Sequence, residues 1–292
     1  MEGVVILKLV LIAFISILVF LLTKKAYKNT KEILINEIKI NHVSPKSPNH
    51  QTLTILQLSD MHLENISITP DELYEKLKGK KLDLIALTGD FLDRKRTIPR
   101  LAPYLEVLNR LQAPHGIYAV LGNHDYVLKK HNLRSLIELL ETHHCKVLRN
   151  ENEEISVKGN HVNIIGIDDF STGRSNLDAG YKGIKKGTNL VLTHDPNLVL
   201  QMQNYHFDYL LAGHFHGGQI CYPRPYHLVK MGKLARMNII KGFHLQDNKP
   251  YYISEGLGQT GVNIRVGSRP EITIHELTLT TTKTNNHALE AI

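Results

Sequence analysis

Residues 207 to 216 read FDYLLAGHFH. The apolar run Tyr209-Leu210-Leu211-Ala212 stops at a glycine, and two histidines one residue apart follow it. A short run that is apolar throughout and bounded by turn residues reads as a strand buried on both faces, the kind found in parallel sheets. Either the histidines lie on a harmless turn, or they point into a site that binds both rings. One such strand end says little. Four other apolar runs in the chain stop in the same chemistry. They are TLTILQLSD (52–60) continuing into Met61-His62, LDLIALTGD (82–90), GIYAVLGNHD (116–125) and NLVLTHDP (189–196).

Between these runs the period changes from strand to helix. TPDELYEKLKG (69–79) opens with Thr69, Pro70 and Glu72, a capping box with proline at the first helical position. TIPRLAPYLEVLNRLQ (97–112) and NLRSLIELLETHH (132–144) carry helical periodicity. Shorter strands follow in CKVLRN, EEISVKG and HVNIIGIDD, with a hairpin turn expected at Gly159-Asn160. Residues 239–246, 250–254 and 271–279 read as closing strands. The alternation predicts an α/β domain, and in such domains ligands bind at the carboxyl ends of the strands. All five polar strand ends fall there.

The donors are carboxylate, imidazole and one amide, with no thiolate. That set suits manganese, iron, zinc or magnesium rather than a sulfur-rich structural zinc. The ends Asp60-Met61-His62, Gly89-Asp90, Gly122-Asn123-His124-Asp125, Thr193-His194-Asp195 and Gly213-His214-Phe215-His216 offer seven or eight donors, too many for one tetrahedral ion. Two divalent ions about 3.5–4 Å apart and bridged by a carboxylate would use them all. The neighbouring glycines let the backbone turn sharply beside a crowded centre. If 213–216 stays extended, alternate spacing aims both rings one way and sends Phe215 into the protein. The remaining histidines, His275 among them, match no motif and read as surface or satisfied core.

Composition sets the frame. The chain has 292 residues, 42% of them hydrophobic, enough for a sizeable core. A net charge of +7 favours an anionic partner. No arginine-rich run interleaved with aromatics appears, so nucleic acid is not expected. Cys145 and Cys221 form no metal motif or disulfide framework, which favours a reducing compartment.

The first 23 residues are a separate matter. VVILKLVLIAFISILVFLLT (4–23) is long and apolar enough to span a bilayer, with Lys8 able to snorkel. No small-residue cleavage site follows, so the segment reads as a retained anchor rather than a signal peptide. Lys24, Lys25, Lys28 and Lys31 lie just after it and keep that side in the cytoplasm. The expected layout is an anchor at 1–23, a basic segment and linker at 24–51, one domain at 52–280 and a loose tail at 281–292. The linker includes the polar, proline-containing NHVSPKSPNHQT (41–52). The site would then face the cytoplasm from the inner membrane, on a single-pass protein.

The five strand ends resemble the calcineurin-like metallophosphoesterase family, whose pattern is D-x-H, G-D-x-x-D, G-N-H-(D/E), a lone histidine and G-H-x-H. All five occur here in that order. GDFLDR, GNHD, THDP, GHFHGGQ and GLGQTG…RPEI are similar to a subgroup of membrane-anchored bacterial phosphodiesterases. That subgroup has Pro-Leu-Arg where this chain has Asn263-Ile264-Arg265. The resemblance implies a four-layer α/β/β/α sandwich after the anchor. It implies that Asp60, His62, Asp90 and His216 hold one ion, and that Asp90, Asn123, His194 and His214 hold the other. It implies in-line attack on phosphorus by a hydroxide between the ions, with His124 protonating the leaving oxygen. Asp125 is expected to orient His124, and Asp93 and Arg94 to brace the site.

Residues 221–242 mix aromatic and aliphatic side chains with Arg224, Lys230, Lys233 and Arg236. With Arg265, these are candidate contacts for a lipid phosphate. Some relatives in the subgroup cleave UDP-2,3-diacylglucosamine in lipid A biosynthesis, so a lipid-linked phosphoester or pyrophosphate is the expected substrate. The competing readings are a tethered phosphodiesterase with a non-lipid substrate and a non-catalytic metal-binding scaffold.

Overall fold

A computed structural model describes residues 2–40 and 51–279. Most of the expected linker (41–50) and the tail at 280–292 lie outside the described residues. Helix α1 (Glu2–Asn29) carries the apolar segment, and its side chains are exposed until Ala26. It is long and apolar enough to cross a membrane.

Twelve strands form two six-stranded mixed sheets. In the first, the order is β1 (Leu34–Ile40), β12 (Glu271–Thr278), β2 (Thr52–Leu58), β3 (Leu84–Thr88), β4 (Ile117–Val120) and β5 (Cys145–Val147). In the second it is β10 (Gly242–Gln246), β11 (Lys249–Ile253), β9 (Tyr209–Ala212), β8 (Thr188–Leu192), β7 (Asn160–Gly166) and β6 (Glu151–Val157). Each sheet has a run of four parallel strands, β2 to β5 and β11-β9-β8-β7.

Alternation along the strands explains the layers. Leu53, Ile55, Leu84, Ala86, Val162, Ile164, Leu190 and Leu192 point between the sheets and fill the central core. Leu56, Leu58, Ile85 and Leu87 face the other way. They pack under α2 (Pro70–Leu77), α3 (Ala102–Arg110) and α4 (Lys130–Thr142) through Leu73, Leu105, Leu136 and Leu140. On the far side, Ile165, Val191 and Leu210 are covered by Leu198, Val199, Phe207, Leu228 and Leu234. That outer layer is built of 3-10 turns and short helical turns, not long helices. The arrangement is the expected α/β/β/α sandwich.

Three local expectations need correction. Strand β1 lies inside the stretch read as linker and pairs in parallel with β12, so the sheet begins at Leu34 rather than at 52. Its sequence LINEIKI turns Asn36, Ile38 and Ile40 toward the protein and leaves Glu37 and Lys39 in solvent, as an edge strand does. The hairpin after β6 turns at Lys158-Gly159, both at positive φ, because Val157 pairs with Asn160. The segment 97–112 starts as a 3-10 turn (Lys95–Leu101) before α3. The capping box at Thr69 and Glu72 forms as read.

Candidate metal centre

The ends of β2, β3, β4, β8 and β9 meet on one edge of the sandwich. They bring two groups of donors together, Asp60 with His62 and His216, and Asp90 with His194 and His214. Within each group the ligand atoms lie within 4.8 Å of one another. Asp90 stands between the groups. Its Oδ2 is 3.0 Å from His194 Nε2 and 3.5 Å from His62 Nε2, while its Oδ1 accepts the backbone N–H of His124 at 2.8 Å.

The backbone is contorted to achieve this. Asp60, His62, Asp90, His214 and His216 all have positive φ, at 50°, 36°, 55°, 77° and 50°. For residues with a Cβ this conformation costs of order 1–3 kcal/mol each and persists where the surroundings impose it. The 213–216 segment is therefore not extended. It coils, so His214 joins the Asp90 group while His216 joins the Asp60 group, and only the burial of Phe215 follows the expectation. Gly213 is required because a Cβ there would overlap Ser59 Oγ and Asp60 Oδ2. Gly122 is required because a Cβ would overlap Asp90 Oδ1.

The hydrogen bonds fix which nitrogen each histidine turns to the site. His194 Nδ1 donates to the Thr88 carbonyl at 2.8 Å, which leaves Nε2 as the nitrogen that faces Asp90. His62 Nδ1 donates to Asp93 Oδ1 at 2.9 Å, and its Nε2 has no hydrogen-bond partner. His216 Nδ1 and Asn123 Oδ1 are likewise buried without one. Buried polar atoms are almost always partnered, so three orphans on strand ends that converge at Asp90 point to a missing acceptor of lone pairs. Each belongs to a residue that a divalent cation would be expected to use. The donor set and the orphans fit a metal centre.

Asp93 Oδ1 also meets His124 Nδ1 at 2.9 Å. Burial would depress the His124 pKa. The Asp93 hydrogen bond and the charges of Asp90 and Asp93 outweigh it and raise the value to about 9. Burial would raise the Asp93 carboxyl, but its bonds to His124 and His62 hold it well below the usual range. Asp90 is also depressed, because His194 and His62 outweigh its burial.

Two expected partners are different. Asp125 does not orient His124. Its carboxylate accepts the backbone N–H groups of Asp90, Phe91 and Gly122, at 3.0, 2.9 and 2.9 Å, and so staples the β3 loop to the β4 loop. The Arg94 side chain is exposed and makes no contact to the site among the described residues. Glu64, which the sequence reading passed over, does the bracing. It accepts the amides of Asp93 and Arg94 at 3.0 Å each and the Thr97 hydroxyl at 2.6 Å. Asp169 was also missed. It is fully buried, has an unpartnered Oδ1, and its charge acts on His194 and His214.

Two cavities meet at His214. The larger, about 700 Å³, has a mixed polar and apolar lining that includes Asn123, Phe170, Asp195, Leu200, Lys230 and Lys233. The other, about 500 Å³, runs from Asp90, His124 and His216 past Leu228 to Ile220 and Val262. Of the candidate phosphate contacts, Lys230 and Lys233 therefore reach a cavity. Arg224 and Arg236 are exposed and line neither. Arg265 is not a substrate contact. It is fully buried, and its guanidinium donates to the carbonyls of His216, Glu255, Gly256, Gly258 and Arg269.

Known proteins are similar to this chain over most of its length. The metallophosphoesterase YkoQ of Bacillus subtilis is 57% identical over 264 residues, covering 90% of this chain and 97% of that protein. The UDP-2,3-diacylglucosamine pyrophosphatase LpxG of Chlamydia trachomatis is 27% identical over 82% of this chain and 88% of its own length. Among solved structures, the calcineurin-like phosphoesterase YfkN of Bacillus subtilis superposes with a TM-score of 0.43 at 14% identity, covering 72% of this chain and 83% of that one. The profile of the calcineurin-like phosphoesterases matches residues 53–218, the span that holds every donor of the two groups. The chain belongs to the calcineurin-like phosphoesterase family and is a metallophosphoesterase.

Proposed function

We propose that this metallophosphoesterase uses two divalent cations, manganese being the first to test, to hydrolyse a phosphodiester or pyrophosphate bond in a lipid-linked substrate at the cytoplasmic face of a membrane. Asp60, His62 and His216 would hold one ion; Asn123, His194 and His214 would hold the other, with Asp90 shared. The observation that carries this is the set of orphaned donors on His62, His216 and Asn123 around a carboxylate that faces both groups. Bound divalent ions supply an activated water and neutralise charge on phosphoryl oxygens.

The residues of this chain do the rest. With Nδ1 engaged by Asp93, His124 keeps Nε2 as the nitrogen free to carry a proton toward the site. It is placed to give that proton to the leaving oxygen. Asp93 aims both His124 and His62, so acid and ligand share one hinge point. Lys230 and Lys233 would meet an anionic headgroup in the larger cavity.

A lipid-linked substrate is supported by α1 and by the lysines after it, which also favour the cytoplasmic side. UDP-2,3-diacylglucosamine is the specific candidate, supported by the likeness to LpxG. The test uses the full chain in detergent, loaded with manganese, and follows UMP release with Asp90→Asn as the blank. Release by the unmodified protein alone is expected. Hydrolysis of a simple phosphodiester without UMP release would reject that substrate and keep the phosphodiesterase. No hydrolysis of either by folded, metal-loaded protein would overturn the whole reading.

A further inference from the structure

We infer that the 500 Å³ groove is a lateral entry for the hydrocarbon chain of a membrane lipid, drawn from the leaflet in which α1 stands. This rests on the lipid-linked reading above and adds where the tail goes. One end of the groove is the metal face, at Asp90, His124, His214 and His216. Its walls then turn apolar, with buried Phe215 and Leu228, half-buried Met231, and Ile220 and Val262 at the open end. Ile220 is 37% exposed and Val262 is 56% exposed. Exposed aliphatic side chains at the mouth of a concave site need an apolar occupant to be covered.

Hydrogen bonds to α1 also locate that mouth. Gln219 donates its side-chain amide to the Thr260 and Val262 carbonyls, 2.9 Å each, closing the two lips on one another. Ile220 is bridged to Val266, and the next residue back, Arg265, donates its backbone N–H to the Ala26 carbonyl of α1 at 2.9 Å. Asn29 returns the contact, its side-chain amide donating to the Arg265 carbonyl at 2.7 Å. The lips are thus hydrogen-bonded to the last turn of the apolar helix. Lys24, Lys25, Lys28 and Lys31 on and just past that turn mark the depth of lipid headgroups. A mouth at that depth opens where acyl chains begin.

The rest of the site is laid out for the same molecule. The mixed cavity with Lys230 and Lys233 adjoins the groove at His214 and Met231. A phosphate at the metal face would have a larger pocket with two lysines for its head and an apolar groove for its tail. Tyr222, Tyr226 and Val229, at 82%, 65% and 45% exposure, extend the apolar surface around the mouth, as aromatic and aliphatic residues do at a bilayer surface.

The experiment takes the manganese-loaded full chain and a series of p-nitrophenyl alkyl phosphodiesters from ethyl to dodecyl, below their aggregation limits. A buried methylene is worth up to ~4-fold in affinity. KM is therefore expected to fall at least about tenfold along the series. In the double variant Ile220→Asp, Val262→Asp that fall should shrink to under about threefold. The ratio of two KM values does not depend on the fraction of protein that folds, so a damaged variant does not mimic this result. A KM that ignores chain length in the unmodified protein, or a ratio unchanged in the variant, overturns the groove while leaving the phosphoesterase intact. No hydrolysis of any member, together with no UMP release in the assay above, overturns the phosphoesterase reading beneath it.

Discussion

Two groups of buried histidine meet at Thr88 and are treated in opposite ways. On one side, His275 is fully buried between the sheets with both nitrogens taken. Tyr209 donates to Nδ1 at 2.9 Å, and Nε2 donates to Gln57 at 3.0 Å. Gln57 in turn donates to the Thr88 hydroxyl and the Ala212 carbonyl, both at 3.0 Å. On the other side, the Thr88 carbonyl takes His194 Nδ1, and beyond it lie His62 and His216 with a nitrogen each unpartnered and with positive φ. A buried polar group without a partner costs of order 1–3 kcal/mol. The fold satisfies that demand completely around His275 and leaves it open at the donors. The contrast separates a histidine that holds the protein together from one that waits for an ion.

The comparison can be broken most sharply at Asp90. Asp90→Asn should lower hydrolysis by about a thousandfold or more, since its carboxylate faces both groups. Metal analysis should then find fewer than two ions per chain; two retained ions would show that Asp90 does not join the groups. His124→Asn comes next, with kcat reduced by roughly a hundredfold or more and the metal content unchanged. Asp93→Asn should cost less, because it acts through His124 and His62.

Manganese itself is the fourth probe. At about 100 times its dissociation constant it should add ~2.7 kcal/mol to stability, read as a rise in Tm of several degrees. The increment should vanish in Asp90→Asn if the orphaned donors are its source, and persist in Tyr209→Phe. The smallest effect belongs to His275, whose pKa burial pushes down to about 3. The unfolded chain takes up a proton near pH 6.5 that the folded chain refuses. The stability is therefore fully present above that pH and drains as pH falls toward 3. By about pH 5.5 the loss should reach ~1 kcal/mol in urea melts. His275→Gln should remove its share of that slope without moving the manganese increment.

The donors were legible because each follows a strand apolar enough to be recognised, and strand ends converge by topology. Their supports were not. Asp125 adjoins His124 in sequence, but its carboxylate folds back onto three amides of two loops, while Asp93 arrives from another strand end. Arg265 looks like surface charge, and only the loop closed around it shows five carbonyls turned inward. Strand β1 alternates polar and apolar residues beside a polar segment, so its pairing with β12 became visible only once β12 was placed. Glu64 had no motif to announce it.

Arg265 also changes what the N-terminal helix is. Its backbone is hydrogen-bonded to Ala26 and Asn29, and only residues 30–33 separate α1 from β1. There is no slack between them, so the helix is a mast rather than a leash. Where that mast stands in a bilayer, the catalytic mouth samples a surface and not a volume. Turnover would then follow the number of substrate molecules per unit of membrane area, and diluting the vesicles at constant lipid composition would leave the rate per enzyme unchanged.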